Sequence, residues 1–278
     1  MRLLPLILVL SFLFPTKITA QIGYRLVSGG QSAAMNNAAS AVSSADAVFQ
    51  NPASLLFITR PTATLATEMR FGVTELKPIG VGFIQPTKSG VFGFSLQHFG
   101  FSAFQQQKLG VAFARRFSDK LNVGIQLDYL HLQAPDYGNA HLLTVEIGCN
   151  TLITKDLMLS VYVYNPLAIR LSASERVPSV FRLSGAYSVN AYVVVAAEIE
   201  KNLLEGANFR FGMDYKITQT VAIRCGFSSL PASFSFGIGY HLSENLVIDA
   251  ALAHQALLGS TPSLSLTYAF GKEKTGVE

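Results

Sequence analysis

The sequence predicts an all-β protein, a transmembrane antiparallel β-barrel of about fourteen strands with an N-terminal hatch segment inside the lumen. Three observations predict it: an apolar leader, few charges, and an alternation of apolar with small or polar residues over residues 62–270. Hydrophobic residues make up 50% of the 278 residues and charged residues only 14%, whereas soluble domains carry about 25% charge. This composition excludes a disordered chain or a coiled coil and disfavours a cytoplasmic enzyme.

Residues 1–20 are the first predicted element, a signal peptide for export. Arg2 supplies its positive charge, residues 3–14 its apolar stretch and Ala20 the small residue before the cut. After residue 20 the sequence has no apolar run of about 18 residues, the length that a membrane helix requires. We therefore expect the apolar residues to meet lipid through strands.

Residues 21–61 are the second element and do not alternate. A flexible linker is one interpretation, because residues 29–47 are rich in Gly, Ala, Ser and Asn. A linker has no need of apolar residues such as Met35, Phe49 and Leu55, however. Small residues with interspersed apolar ones allow close backbone packing, which favours a compact plug inside the lumen.

Residues 62–270 are the barrel itself, because period-two alternation is the pattern of half-buried strands. In one segment Val123, Ile125, Leu127 and Tyr129 share one face, and Asn122, Gly124, Gln126 and Asp128 share the other. The polar face is small and poor in charge, unlike the exposed face of a soluble sandwich. Apolar-out, polar-in segments of about ten residues, even in number, are typical of bacterial membrane barrels.

The last strand places Leu264, Leu266, Tyr268 and Phe270 on one face. Such an aromatic terminal strand resembles the assembly signal of outer-membrane barrels, so we expect location in the outer membrane of a Gram-negative bacterium, with its lipid as a partner. Residues 271–278 form a charged C-terminal tail that we expect to be frayed.

The N-terminal segment carries a family resemblance. Ala33-Ala34-Met35, the small residues 38–41, Asp46 and the triplet Asn51-Pro52-Ala53 resemble the hatch of the FadL/PorV superfamily of outer-membrane barrels. The resemblance implies fourteen strands with the hatch inside the barrel. One branch of the superfamily, the FadL-type proteins, passes fatty acids and other hydrophobic molecules, and another, the PorV/PorQ proteins of the Bacteroidetes lineage, serves type IX protein secretion.

The sequence departs from the family pattern in two places. Asn36-Asn37 replaces the usual Gly-Gly after Met, and Asp46 alone represents the usual acidic pair. The predicted outer loops, residues 101–107, 133–139, 165–178 and 255–262, are also short. FadL-type transporters build a capture groove from long loops.

These short loops favour a PorV/PorQ-like accessory of protein secretion or surface attachment, with secretion-machinery or cargo proteins as partners. The alternative is a FadL-like channel for fatty acids or another hydrophobic small molecule, which predicts an apolar pocket near the hatch and a lateral gap in the wall. A soluble secreted β protein is a third hypothesis, against which the apolar strand faces argue.

Eleven charged residues point into the lumen by the same alternation. They are Glu68, Arg70, Arg116, Asp128, Glu146, Arg182, Glu198, Arg210, Asp214, Arg224 and Asp249. They could line a selective path or form ion pairs that join the strands and the hatch. Since unpaired buried charges are costly, we favour ion pairs, such as Glu198 with Arg210 and Asp214 with Arg224.

Other chemistry finds little support in the sequence. The cysteines, Cys149 and Cys225, fall on the outward face of different strands and are expected to be free thiols. His131 and His141 flank one loop, but a metal site needs further ligands. No catalytic or phosphate-binding motif occurs, so neither an enzyme nor a cofactor is expected. A net charge of +4 without a basic cluster gives no reason to expect nucleic acid.

Overall fold

The computed structural model describes residues 24–135, 138–171 and 176–271. Within them, fourteen antiparallel strands form a closed barrel in which every strand is hydrogen-bonded to both neighbours. The predicted fold class and strand number are confirmed. The expected signal peptide, and the charged tail after Gly271, lie outside the described residues. No helix in the described part of the chain is long and apolar enough to cross a membrane.

The strands follow one another around the barrel in chain order. They are β1 Thr62–Glu68, β2 Ile79–Pro86, β3 Val91–Phe101, β4 Phe104–Ser118, β5 Leu121–Ala134, β6 Gly138–Leu152, β7 Leu157–Tyr164, β8 Val180–Ser188, β9 Val193–Asn202, β10 Ala207–Lys216, β11 Val221–Ser229, β12 Ala232–His241, β13 Leu246–Gln255 and β14 Gly259–Ala269. The barrel closes where β1 pairs with β14, with Thr62 opposite Ala269 and Glu68 opposite Ser263.

The two faces of the wall differ as the alternation predicts. On β5, Ile125 and Leu127 are both 53% exposed on the outside. Gln126 and Asp128 between them point inward and are buried. The side chains of this outward apolar belt are exposed, and exposed apolar surface is stable only in contact with an apolar medium rather than with water. The fold is therefore that of a barrel surrounded by lipid.

The two ends of the barrel differ in their connections. One end has short turns, such as residues 119–120 between β4 and β5 and residues 217–220 between β10 and β11. Short turns mark the periplasmic side of such barrels, and we call this end the inner rim. The opposite end, called the outer rim, has the longer connection of residues 165–179 between β7 and β8.

The expected outer loop over residues 101–107 is wrong. The β3–β4 pairing continues to the outer rim, with Phe99 opposite Gln106 and Phe101 opposite Phe104. Outward-facing side chains near this rim are polar, as at Gln107. Because the strands there extend beyond the apolar belt, the apolar alternation stops before the hydrogen-bonded ladder does.

Residues 24–61, which we call the N-terminal segment, pack against the inward face of the wall. The segment contains the short helices Gly30–Ala34 and Ala47–Gln50 and the 3₁₀ helix Pro52–Phe57. Its apolar side chains Val27 and Leu55 lie in one cluster with Ile84, Ala112 and others of β1–β4. The segment then leads into β1 at the inner rim. The chain's own N-terminal segment therefore occupies the lumen.

Candidate functional site in the barrel lumen

The triplet Asn51-Pro52-Ala53 is fixed between strands β5 to β7. The Asn51 side chain accepts a hydrogen bond from the Ala53 amide (3.0 Å) and caps the 3₁₀ helix. Its amide group donates to Asn150 Oδ1 (3.1 Å) and Ser160 Oγ (2.8 Å) on the wall. Asn51 and Ala53 are completely buried, so the motif residues join the N-terminal segment to the barrel.

Met35 sits in a groove that lacks side chains. A Cβ atom added at Gly212 would lie 2.8 Å from Met35 Cβ, and one at Gly226 would lie 2.3 Å from the Met35 carbonyl carbon. The two glycines are direct neighbours across β10 and β11. Only glycine at both positions lets the helix end approach the wall so closely.

The backbone conformations of Asn36 and Asn37 show why asparagine can stand where the resembled hatch pattern has Gly-Gly. Both have left-handed backbones, with φ values of 52° and 64°, a conformation that glycine adopts freely and asparagine tolerates best among the others. The Asn36 amide also donates to Ser233 Oγ at 2.8 Å. Asn37 Oδ1 accepts from Gln50 Nε2 at 3.3 Å. Asparagine thus keeps the sharp turn and adds hydrogen bonds that glycine could not make.

Asp46 holds the two short helices together. Its Oδ2 accepts from the amide of Ser32 (2.9 Å), near the start of the preceding helix. Burial raises the pKa of the Asp46 carboxyl to about 7; the Asp249 carboxylate adds to the increase, and the hydrogen bond from Ser32 opposes it. Asp46 therefore titrates near neutral pH within the N-terminal segment.

Both ion pairs expected from the sequence are present. Arg210 contacts Glu198 at 3.0 Å and also Glu200 at 2.6 Å. Arg224 on β11 contacts Asp214 on the neighbouring β10 at 2.7 Å and Asp249 on β13, two strands away in the other direction, at 2.6 Å.

These networks also reach the N-terminal segment. Ser40 donates to Glu198 at 2.5 Å, and Gln31 donates to Asp214 at 3.1 Å. Arg182 donates to both the main-chain and the side-chain oxygen of Gln50. The charged residues thus join strand to strand and wall to segment.

Lys108 is a lumen residue that the sequence analysis missed. It is buried on β4 and bridges Asp128 at 3.4 Å and Glu146, so three neighbouring strands share one ion cluster. Lys108 has the same inward parity as Gly110 and Ala112 on β4, and this parity could have placed it in the lumen. The three glutamines before Lys108 obscured the start of the strand.

Two predicted lumen charges lie at the barrel ends. Arg116 has the same inward parity as Ala114 and is paired in register with Asn122, but it is exposed at the inner rim and not buried in the lumen as expected. Arg70 follows β1 in a 3₁₀ turn and donates to the Leu26 carbonyl at 2.6 Å. It therefore lies at the outer mouth, next to buried Glu68.

The histidine pair lies outside the lumen. His131 and His141 are opposite each other on β5 and β6, with rings stacked 4.6 Å apart, and Tyr129 bonds to His141 Nδ1 at 2.7 Å. Across the described residues no three His, Cys, Asp or Glu side chains are placed to hold a metal. Cys149 and Cys225 are free thiols.

Two cavities lie on opposite sides of the N-terminal segment. The outer cavity, of about 590 Å³, is lined by Phe71, Phe99, Phe104, Arg25, Arg70 and Gln106 together with Asn37 of the segment. The inner cavity, of about 230 Å³, is lined by Gln31, Ala41, Tyr192, Asp214 and Lys216. Residues 31–42 therefore lie between the outer mouth and the periplasmic side.

The strands of the wall form a closed ring. Every strand from β1 to β14 is hydrogen-bonded to both neighbours over at least part of its length, and β6 is paired with β7 only over Glu146–Leu152, not over its outer half. The cavity near the N-terminal segment is present, with aromatic and polar lining.

Known structures share this architecture at low sequence identity. The structure is similar to the CymD monoaromatic hydrocarbon channel (TM-score 0.68, 12% identity, 90% of this chain and 99% of that one). It is also similar to the Ralstonia pickettii toluene transporter TbuX, with a TM-score of 0.68 and 14% identity over 89% of this chain and 99% of that one. A Pseudomonas aeruginosa FadL homologue gives a TM-score of 0.66 and 13% identity over 88% of this chain and 99% of that one.

Comparison with protein-family models and with curated protein sequences gives no match. Two of these neighbours are named as a hydrocarbon channel and a toluene transporter. The expected outer-membrane location agrees with the closed barrel, its apolar belt and these neighbours. The chain has the fold of the FadL-type outer-membrane barrels.

Proposed function

We propose that this protein is an outer-membrane channel that admits a small, largely hydrophobic molecule, and that its N-terminal segment is the hatch that closes the lumen. The observation that carries the proposal is the outer cavity, whose aromatic wall opens at the outer rim and whose floor includes Asn37 of the segment. A volume of about 590 Å³ lies within the range of small-molecule sites.

The route runs along the barrel axis. A molecule that enters the outer cavity meets residues 31–42 and, beyond them, the inner cavity on the periplasmic side. The segment is fixed to β1–β4 by apolar packing around Leu55, whereas toward β10–β12 it is fixed through Met35 and Asn36. Passage therefore requires residues 31–42 to leave the groove on β10–β12.

A reversible lock tests this proposal. Asn36→Cys combined with Ser233→Cys places two thiols where the wild-type side chains touch, so a disulfide can join segment and wall. Uptake of the apolar dye N-phenyl-1-naphthylamine is measured in cells that lack other channels of this fold. We expect fast uptake with the wild type, loss on oxidation of the double variant and recovery on reduction.

The single-cysteine variants, oxidised in the same way, are the controls. Undiminished uptake through the oxidised double variant would contradict the closing role of the segment. Wild-type uptake no faster than in cells without the protein would contradict the channel itself.

A secretion accessory of the PorV/PorQ type is the second candidate. Leu257 is 97% exposed at the β13–β14 turn, and Leu203 is 59% exposed at the β9–β10 turn. Exposed leucines at the outer rim, beyond the apolar belt, suit contact with another protein. Mass spectrometry of material purified in mild detergent tests this candidate, which requires a stoichiometric secretion component.

A further inference from the structure

A basic pocket lies at the inner rim, between the β2–β3 turn and the end of β4. Its volume is about 440 Å³, and its lining includes Leu56, Thr87, Lys88, Ser89, Arg115 and Arg116. Three of the lining residues are cationic and none is acidic. Because walls of one charge sign concentrate ions of the opposite sign, this pocket attracts an anion.

Close packing of the β2–β3 turn on β4 builds this pocket. A Cβ atom added to Gly90 would lie 2.5 Å from the carbonyl oxygen of Ala114 and 2.8 Å from the Phe113 ring. Only glycine lets the turn approach β4 so closely. The approach brings Lys88 of the turn into one pocket with Arg115 of β4.

The three cations of the pocket have no ionic partner in the described part of the chain. Within residues 24–135, 138–171 and 176–271, no ion pair involves Lys88, Arg115 or Arg116. The lumen residue Arg224, by contrast, contacts two carboxylates. Like charges in one pocket repel one another, and a bound anion removes this repulsion.

The pocket also lies at the edge of the outward apolar belt. Phe92 and Phe113 are opposite each other on the outward face of β3 and β4, with ring centroids 4.9 Å apart. Arg115 is the next outward residue of β4 toward the inner rim, and it is exposed. An acyl chain that packs on the two phenylalanines therefore brings its headgroup to the level of Arg115, where basic side chains bind anionic lipid.

We propose that this pocket binds the phosphate group of an anionic phospholipid in the inner leaflet of the outer membrane. The phosphate lies between Lys88 and Arg115, because guanidinium matches the geometry of phosphate oxygens and charge-assisted hydrogen bonds are the strong ones. The acyl chains cover Phe92 and Phe113. A free phosphate ion would satisfy the charges but leave the two aromatic rings uncovered, so the lipid is favoured.

The site is separate from the proposed channel and does not depend on it. Leu56, in the 3₁₀ helix Pro52–Phe57, lines the same pocket and packs against the apolar cluster of β1–β4. A bound lipid therefore also contacts the end of the N-terminal segment.

Native mass spectrometry of the purified full chain in a neutral detergent tests the proposal. The probes are phosphatidylglycerol and phosphatidylcholine with the same acyl chains, and we expect the wild type to bind phosphatidylglycerol more tightly. Lys88→Gln combined with Arg115→Gln should weaken phosphatidylglycerol binding about 30-fold, about fivefold for each cation removed. Lys120→Gln combined with Lys155→Gln removes the same charge from exposed positions at the same rim and should bind this lipid like the wild type.

Gly90→Ala is a further variant, because it keeps every charge but moves the turn away from β4, and it should also weaken phosphatidylglycerol binding. Heat-dependent gel mobility shows that the barrel of each variant is assembled. Equal binding of the two lipids by the wild type, or an equal loss in the Lys120 and Lys155 control, would overturn the proposal. Displacement of phosphatidylglycerol by an equal concentration of sn-glycerol 1-phosphate would show that the pocket takes a free phosphate, and would overturn the lipid assignment.

Discussion

Replacing Asn51 with alanine is expected to loosen the N-terminal segment without disrupting the barrel. The side chain is completely buried and makes four hydrogen bonds, to Ser40, Ala53, Asn150 and Ser160. Each is worth about 1 kcal/mol net. Two of the partners, Asn150 and Ser160, lie on the wall, so loss of these two bonds acts directly on docking of the segment, whereas the bonds to Ser40 and Ala53 lie within the segment.

The expected cost is about 2 kcal/mol of docking free energy for the two bonds to the wall, which raises the population of the displaced segment about 30-fold. The assay is single-channel recording in planar bilayers, where displacement of the segment appears as openings. Combining Asn51→Ala with Pro52→Ala removes the fixed first residue of the 3₁₀ helix as well and should increase the openings further.

Asn139→Ala is the matched control, because Asn139 is exposed on β6 and should open no more often than the wild type. Asn51→Asp separates the two roles of the side chain, since it keeps an acceptor for the Ala53 amide but loses the donors to Asn150 and Ser160. A correctly assembled Asn51→Ala barrel, shown by heat-dependent gel mobility, with wild-type conductance would refute the reasoning.

Three further predictions concern the same lumen. Gly226→Val should displace the segment and increase conductance, since its Cβ would lie 2.3 Å from the Met35 main chain, whereas Gly185→Ala, 3.4 Å from a side chain, should not. Burial raises the Asp46 pKa from 3.8 to about 7, so docking of the N-terminal segment is strongest below pH ~4 and weakens as the pH rises to ~7. Channel openings should therefore be more frequent at pH 8 than at pH 5, and Asp46→Asn should abolish this difference. Lys108→Met should lower barrel stability by roughly 3–5 kcal/mol, since it leaves two buried carboxylates without their cation; an unchanged temperature of the gel-mobility transition would contradict this.

The sequence predicts the wall well because alternation is local. A residue in a strand points to the side opposite its neighbours, so Ile125 outside and Gln126 inside follow from order alone. The same rule correctly placed buried Glu198 and Arg210 in the lumen and suggested their pairing. It failed at Arg116, which lies exposed where the strand reaches the inner rim, and it missed Lys108, whose strand begins with polar residues.

The contacts of the N-terminal segment could be predicted only in part. Its small residues and its Asn51-Pro52-Ala53 triplet indicate a plug, but no local pattern shows that Asn51 meets Asn150 or that Gln50 meets Arg182. These partners are about a hundred residues away in the chain. Their meeting depends on the path of the segment through the lumen.

By itself, the sequence determined that this chain forms an outer-membrane barrel of fourteen strands, because lipid on one side and a polar lumen on the other impose a two-residue period on every strand. Only the tertiary structure decided which residues meet inside the lumen. Ring closure brings Arg25 of the N-terminal segment and Gln106 of β4 to one cavity beside Phe99. Such a meeting joins residues far apart in the chain, and it depends on strand register and segment path, which no local period encodes.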